Sequence, residues 1–343
     1  MGLFSLGSKD IGIDLGTSNI IVTIKGKGIV LREPSVVAID RRTEEIVATG
    51  KEAKEMLGRT PEAIKAVKPL KGGVIADFTA TKLMLKNIFK KISSKYNVKK
   101  PRVVVGVPSG ITEVEERAVE DTIMQAGARE VYLIEEPLAA AIGSGMHIEE
   151  ANGNIIIDIG GGTTEVAVIC LGGIVVYNSL RVAGDELDED IVNYMKKREN
   201  LSIGITTAEE IKMQIGCAAT PISAEKMEIR GRDLATGLPK NVVIDSYQVL
   251  EAMQESLNRI INTVKATLEK TPPELAADLA ERGIVLSGGG ALIKDLDQRL
   301  ASSTDMSVYI TEDPIDAVAR GTGKTLEELD RIKAKLINSR RRR

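Results

Sequence analysis

The phrase IDLGTSN at residues 13–19 returns, little changed, as IDIGGGT at residues 157–163. In each place an apolar run ends in an aspartate, an apolar residue and a glycine, and small or hydroxyl-bearing residues follow. A strand-ending phrase that occurs twice constrains the chain to a plan with two related halves. The surroundings repeat as well. Residues 9–14 read as a strand, followed by the apolar run IIVTI (20–24), the turn 25–28 and IVL (29–31). The second copy runs NIIIDI, GGGTT, VAVICL, the turn Gly172-Gly173 and IVVYN.

Further elements recur in the same order. RVVVGVPS (102–109) reads as a buried strand followed by a helix over 112–126, and GIVLSGGG (283–290) as another followed by a helix in ALIKDLDQRL. EPLAAAIGSG (136–145) and DPIDAVARGTG (313–323) each begin with acid-proline, continue as a small-residue helix and end in Gly-x-Gly. Proline suits a first helical turn, and alanines permit close backbone packing. The spacing therefore predicts two similar α/β lobes with a cleft between them. The first is placed at 1–145, closed by C-terminal helices 324–343, and the second at 146–323. Segments without a counterpart read as inserted subdomains, about 33–66 in the first lobe and 182–240 in the second. In the latter, helices are expected at 185–198 and 207–216. A long helix, 246–270, carries Val249, Leu250, Met253, Leu257, Ile260, Ile261 and Val264 at helical spacing, a core-packing pattern.

Two Asp-x-Gly corners suit a particular chemistry. Glycine allows close approach of backbone to a ligand and positive φ. Successive backbone N–H groups make an anion nest, and an aspartate at a strand tip can hold Mg²⁺ through water. Two such corners would grip a nucleotide triphosphate. The competing phosphate motif, GTGKT at 321–325, lacks the first glycine of a Walker A loop, since position 318 is Val318, and no strand leads into it. Composition closes other routes. Lys+Arg 46 against Asp+Glu 49 gives a net charge of −3, which does not suggest nucleic-acid binding. A lone histidine, His147, argues against a catalytic triad and reads as a surface residue near a helix end. Cys170 and Cys217 read as buried thiols in a reducing cytoplasm. No secretory signal and no membrane-spanning run are visible, and MGLFSL carries Leu6 where a myristoylation signal needs Ser or Thr.

The order of motifs resembles the actin–chaperone–sugar-kinase ATPase superfamily. IDLGTSN resembles its first phosphate loop, IDIGGGTTEVAV the second, LIEEPLAAAIGSG and DPIDAVARGTGK the two connecting helices, and VLSGGGALI the adenosine motif. Within it, VAGDELDEDIVNYM, TTAEEIKMQIG, EIRGRDLATGLP and PPELAADLAERG are similar to phrases of the MreB-type bacterial actins, over about residues 8–335. The resemblance implies an actin-like fold of two ribonuclease-H-like lobes around a nucleotide cleft, with ATP and Mg²⁺ as cofactors. Thr17, Ser18 and Asn19, with Gly160, Gly161, Gly162, Thr163 and Thr164, match the phosphate loops. Asp14 and Asp158 match the aspartates that organise Mg²⁺ through water. Glu209, Glu210, Ile211 and Lys212 match the segment meeting adenine or ribose, and Gly288, Gly289, Gly290, Ala291 and Leu292 the adenosine loop. Locally, TTAEE also reads as a capping box, Thr206 to Glu209 or Thr207 to Glu210. Glu136 is the residue expected to position the attacking water, with Glu135 the alternative and Thr163 or Thr164 assisting.

The function so implied is an ATP-hydrolysing, filament-forming cytoskeletal protein that organises cell-wall synthesis and rod shape. Its partners would be further copies of itself, the cell-wall elongation machinery and the inner face of the membrane, contacted peripherally. A small-molecule kinase or a chaperone-type ATPase on the same fold is the alternative. For membrane contact two segments stand out: residues 1–7 with Leu3, Phe4 and Leu6, and a loop at 93–100 with Tyr96 and Val98 among Lys95, Lys99 and Lys100. The arginines that end the chain read as a solvated tail.

Overall fold

Each copy of the repeated phrase ends the central strand of a five-stranded sheet, and the two sheets have the same topology. In the first, Ile11–Leu15 is antiparallel to Asn19–Ile24, which is antiparallel to Gly28–Pro34. On its other side Ile11–Leu15 runs parallel to Arg102–Val107, which runs parallel to Glu130–Glu135. In the second, Asn154–Ile159 pairs with Thr164–Cys170, which pairs with Gly173–Leu180, both antiparallel. Its parallel neighbours are Ile284–Ser287 and then Val308–Ile310. The duplication thus includes two strands, Glu130–Glu135 and Val308–Ile310, that the sequence reading did not single out. This computed structural model describes residues 9–332 and residue 336. Residues 1–7 and the terminal arginines lie outside the described residues, as does most of the expected closing segment beyond 332.

Central strands covered on both faces need unbroken apolar runs. Ile155, Ile156 and Ile157 are fully buried, as are Val103, Val104 and Val105. The chain divides into two compact units, one of residues up to Met146 together with Asp316 onward, the other His147–Ile315. The expected second boundary at 323 moves to 315 because the helix Ala317–Glu327 packs on the helix Glu136–Gly143. A methyl group on Gly143 would overlap the Ala317 carbonyl oxygen, and one on Gly321 the Ala139 carbonyl oxygen. Gly321 and Gly323 therefore lie inside a helix that runs on to Glu327 instead of ending it. The GTGKT stretch is part of this helix, and Lys324 Nζ donates to the Ile142 carbonyl.

Both insertions are present. In the first, strands Val37–Asp40, Ile46–Thr49 and Ile64–Val67 form a small sheet with the short helix Lys51–Glu55, and Val36, Ala38, Ala48 and Ala53 form a separate small core. In the second, Leu201–Ser202, Lys226–Asp233 and Pro239–Asp245 form a sheet beside helices Gly184–Arg198 and Ile205–Ile215. Its apolar residues join the main core of that unit. The long helix spans Ser246–Glu269 with Val249, Met253, Leu257, Ile260, Ile261 and Val264 buried.

Several local expectations change. A helix not foreseen, Phe78–Tyr96, starts at Asp77, whose side chain accepts from the Ala80 N–H, and buries Met84, Leu85, Ile88 and Ile92. It absorbs residues 93–96 of the expected loop. Val98 is 6% exposed and so offers no side chain to a membrane, whereas Tyr96 is only partly buried against the same core. After Ile284–Ser287 the chain forms a 3₁₀ turn, Gly289–Leu292, and the helix begins only at Leu296, because Ile293 is extended and Asp295 left-handed. Cys217 is buried as expected, whereas Cys170, at a strand end, is partly exposed. His147 is exposed just past the helix Glu136–Gly143. No helix among the described residues is long and apolar enough to cross a membrane.

Candidate functional site

The first corner is held by its carbonyls. Gly16 follows the strand Ile11–Leu15, and a β-carbon there would lie 2.7 Å from the Asn19 carbonyl oxygen, so glycine is required by close approach. The Ser35 hydroxyl donates to the Gly16 carbonyl (2.6 Å) and the Ser35 N–H to the Ser18 carbonyl (2.9 Å). Thr17 is 3% exposed, and its hydroxyl oxygen accepts from the Gly73 N–H at 3.1 Å, which ties the corner to the hairpin at residues 70–75. The N–H groups of Thr17 and Ser18 donate to no group among the described residues.

The second corner repeats that arrangement with different partners. Gly160 N–H closes the turn onto the Thr163 carbonyl (2.9 Å). The Gly160 and Gly161 carbonyls accept from Gly184 N–H (3.2 Å) and Asp185 N–H (2.8 Å), at the start of the helix Gly184–Arg198. Again the carbonyls are occupied, and the N–H groups of Gly161 and Gly162 donate to nothing among the described residues. Backbone donors are rarely left so in a folded protein unless water or a ligand takes them. Neither Gly16 nor Gly160–Gly162 has a positive φ, so the expected left-handed backbone is absent from both corners.

The two aspartates differ in setting. Asp14 is partly exposed at the end of its strand. Asp158 is 5% exposed and accepts a 2.6 Å hydrogen bond from the Ser287 hydroxyl. Burial pushes its carboxyl up to about 6, with the Ser287 hydroxyl pulling the other way. Ser287 leads into the glycine loop. Gly288 sits at φ 81°, and methyl groups on Gly288 or Gly290 would both run into Ile159. Gly289 faces open space, Ala291 is buried and Leu292 is 59% exposed. The loop at 288–292 thereby rests on the residue between Asp158 and Gly160.

Other expected residues fall into two groups. Lys212 Nζ donates to the Gly184 carbonyl (2.6 Å) and pairs with Asp188 (2.7 Å). Burial pushes Asp188 up to about 6 against the pull of Lys212. Lys212 thus anchors the helix start that in turn holds the second corner. Ile211 is buried in the core and offers no side chain to a ligand, while Glu210 is exposed and Glu209 partly so. Thr164 is fully buried, with its hydroxyl donating to the Val182 carbonyl (2.7 Å), and Thr163 is 6% exposed. The expected capping box is absent. Gly204, extended at φ −81° and ψ 159°, takes the cap position, which leaves Thr206 and Thr207 inside the first turn.

Glu136 opens the helix Glu136–Gly143, is 8% exposed, and lies against Gly106, where a β-carbon would come 3.4 Å from its side chain. Its neighbour Glu135 ends a strand. Burial pushes the Glu135 carboxyl up, the Ser109 hydroxyl pulls it partly back, and the charge of Glu116 adds to the rise. Ser35, Gly184, Asp188 and Ser287 are supporting residues that sequence reasoning did not name. Ser287 and the 184–188 stretch do stand inside motif phrases, but nothing local marks their bonding partners.

With the corners, glycine loop and acid-proline helix in place, comparison with known proteins is decisive. The MreB/Mbl protein family profile matches residues 8–334. The chain belongs to the MreB/Mbl family. It is 50% identical over 334 residues to the cell shape-determining protein MreB of Escherichia coli (strain K12), covering 96% of this chain and 95% of that protein. Among solved structures, MreB5 of Spiroplasma citri bound to ADP matches with a TM-score of 0.89 and 38% identity, over 95% of this chain and 98% of that one. MamK, solved as a double helical filament, matches with a TM-score of 0.77 and 25% identity, over 93% and 99%. The fold of this MreB/Mbl protein is accordingly the actin-like one, duplicated five-stranded sheets included.

Proposed function

We propose that this MreB/Mbl protein binds ATP with Mg²⁺, hydrolyses it, and assembles into filaments that determine cell shape by organising cell-wall synthesis at the inner face of the membrane. The observation that carries the nucleotide reading is the pair of corners whose carbonyls are tied back while the N–H groups of Thr17, Ser18, Gly161 and Gly162 donate to nothing among the described residues. A phosphate chain supplies the acceptors such groups lack. The ADP carried by MreB5 and the cell-shape role named for the E. coli relative point the same way. Filament formation is supported by the helical filament of MamK.

Mg²⁺ is taken to be held through water by Asp14 and Asp158, each standing one residue before the end of the central strand of its sheet, with the buried Asp158 carboxyl accepting from the Ser287 hydroxyl. Bound there, the cation would neutralise phosphate charge. Thr17–Asn19 and Gly160–Thr163 hold phosphate oxygens, mainly through backbone N–H, and Gly288–Leu292 leaves room for the nucleoside beside Gly289. Lys212 acts through the helix start at Gly184. Phosphoryl transfer to water asks mainly for an oriented nucleophile, and Glu136 serves that purpose from a rigid helix start. The peripheral membrane reading rests on residues 1–7 and on the partly exposed Tyr96, now that Val98 is packed inward.

Sedimentation and phosphate release in ATP test the proposal together. The parent protein should pellet in ATP and release phosphate without any added sugar; the absence of both responses overturns it. Glu136→Ala should slow phosphate release by about tenfold to 10²-fold with nucleotide affinity nearly unchanged, and its filaments should outlast those of the parent. Equal release rates would remove Glu136 from the role.

A further inference from the structure

Away from both corners, the unit His147–Ile315 carries a concavity of about 440 Å³ between the helices Ser246–Glu269 and Leu296–Thr304 and the segment at 218–220. Its lining is part apolar, from Ala218, Ala219 and Leu250, and part polar, from Thr220, Gln254, Gln298 and Ser302. Among the described residues no acidic side chain lines it. One cation does. Arg299 is half-buried there, and its contacts are all to neutral oxygens: the Ala218 carbonyl (2.6 Å), Asn258 Oδ1 (2.8 Å) and, more loosely, Gln254 Oε1 (3.4 Å).

Those bonds occupy Nη1 and one hydrogen of Nη2. The Nε–H and the other Nη2–H have no partner among the described residues. Burial lowers the guanidinium pKa, and no carboxylate acts to raise it again. Arg102, also partly buried, is by contrast matched by the acids Asp10 and Asp330. A partly desolvated guanidinium, held by neutral oxygens with two donors unspent, is a receptor for a planar anion.

We propose that this concavity binds a carboxylate group on a short aliphatic stem, with Arg299 as its anchor. One guanidinium balances the charge of a carboxylate but only about half that of a phosphate dianion, and Arg299 is the one cation among the described residues of the lining, which favours carboxylate over phosphate. The stem lies on Ala218, Ala219 and Leu250, and the amides of Gln254 and Gln298 supply further polar contacts. Such a group is available from two sources, an aspartate or glutamate side chain of a partner peptide or a free small dicarboxylate.

The test uses the ¹⁵N-labelled full-length chain, kept monomeric without nucleotide, and follows arginine Nε–Hε resonances. The Arg299 signal is assigned by its disappearance in Arg299→Lys. Glutarate, a blocked Gly-Glu-Gly-Leu peptide, its methyl ester and inorganic phosphate are titrated separately. The expected result is a saturable shift of the Arg299 signal with glutarate or the acidic peptide, and none with the ester. A response to the peptide alone assigns the site to a partner chain; a response to both assigns it to the carboxylate itself. Ser302→Glu, at an exposed position one helical turn from Arg299, supplies an internal carboxylate and should weaken the response about tenfold or more. Failure of both carboxylates to shift the signal overturns the proposal. So does a response to phosphate as strong as that to carboxylate, or an undiminished response in Ser302→Glu.

Discussion

Gly321→Ala is expected to destabilise the protein by about 3 kcal/mol or more, lowering Tm by roughly 6–12 °C, although it removes a glycine from a helix interior. Helix propensity alone gives the opposite sign, a gain of about 1 kcal/mol. Packing decides the matter. The added methyl would overlap the carbonyl oxygen of Ala139 and crowd its carbonyl carbon, which are backbone atoms inside the helix Glu136–Gly143 and cannot rotate away. Only separation of the two helices relieves the overlap, and that opens a contact lined by Ala139, Ala140, Ala317 and Ala319, all buried. The same separation would shift Glu136, so phosphate release should fall along with Tm. Gly289→Ala is the control for glycine replacement as such, because nothing lies within 4 Å of a β-carbon there and its Tm should barely change. A Gly321→Ala protein that melts at or above the parent would show that the helices cross less closely than described.

That glycine also marks what could and could not be read from the sequence. The duplication was legible because buried central strands must be continuously apolar, and an aspartate followed by glycine stands out at their ends. Gly-x-Gly at 321–323 suggested a helix end, which is glycine's commoner use, whereas here it permits a helix crossing whose partner is some 180 residues away. The helix Phe78–Tyr96 went unread, so Val98, in the loop that follows it, looked exposed although it is buried in the core. Local pattern placed a capping box at Thr206 or Thr207, but the extended residue that caps is Gly204. At the site, the corner residues were visible as a motif, while Ser35 and Ser287 were not. Each serine acts through its hydroxyl on a residue well separated in the chain, and single serines carry no periodic signal.

Asp158→Asn should make the nucleotide-free protein more stable and the nucleotide-bound protein weaker, two opposite effects from one atom. In the folded chain the Asp158 carboxyl is raised from 3.8 to about 6, chiefly by burial, with only the Ser287 hydroxyl opposing. Below about pH 4 both folded and unfolded states hold the proton, and no penalty exists. Between about pH 4 and 6 the unfolded state releases it while the folded state keeps it, so stability declines as pH rises. Above about pH 6 the folded carboxylate is ionised, and the accumulated cost levels off at about 3 kcal/mol. Asparagine cannot ionise, yet its carbonyl oxygen can still accept from Ser287, so the variant should escape that cost without losing the hydrogen bond. Denaturation without nucleotide, run from pH 4 to 8, should therefore show a gap between variant and parent that opens through pH 4–6 and stays constant above. With Mg²⁺ and ATP the order should reverse. A buried carboxylate poor in donors is a costly place for a lone charge but a favourable one beside a cation, and the neutral amide forfeits that gain. Mg²⁺-dependent affinity for ATP, measured by titration, should fall about tenfold or more in the variant. If the stability gap appears and affinity is unchanged, Asp158 is a strained structural residue and the cation is held by other groups; if neither appears, its burial has been overstated.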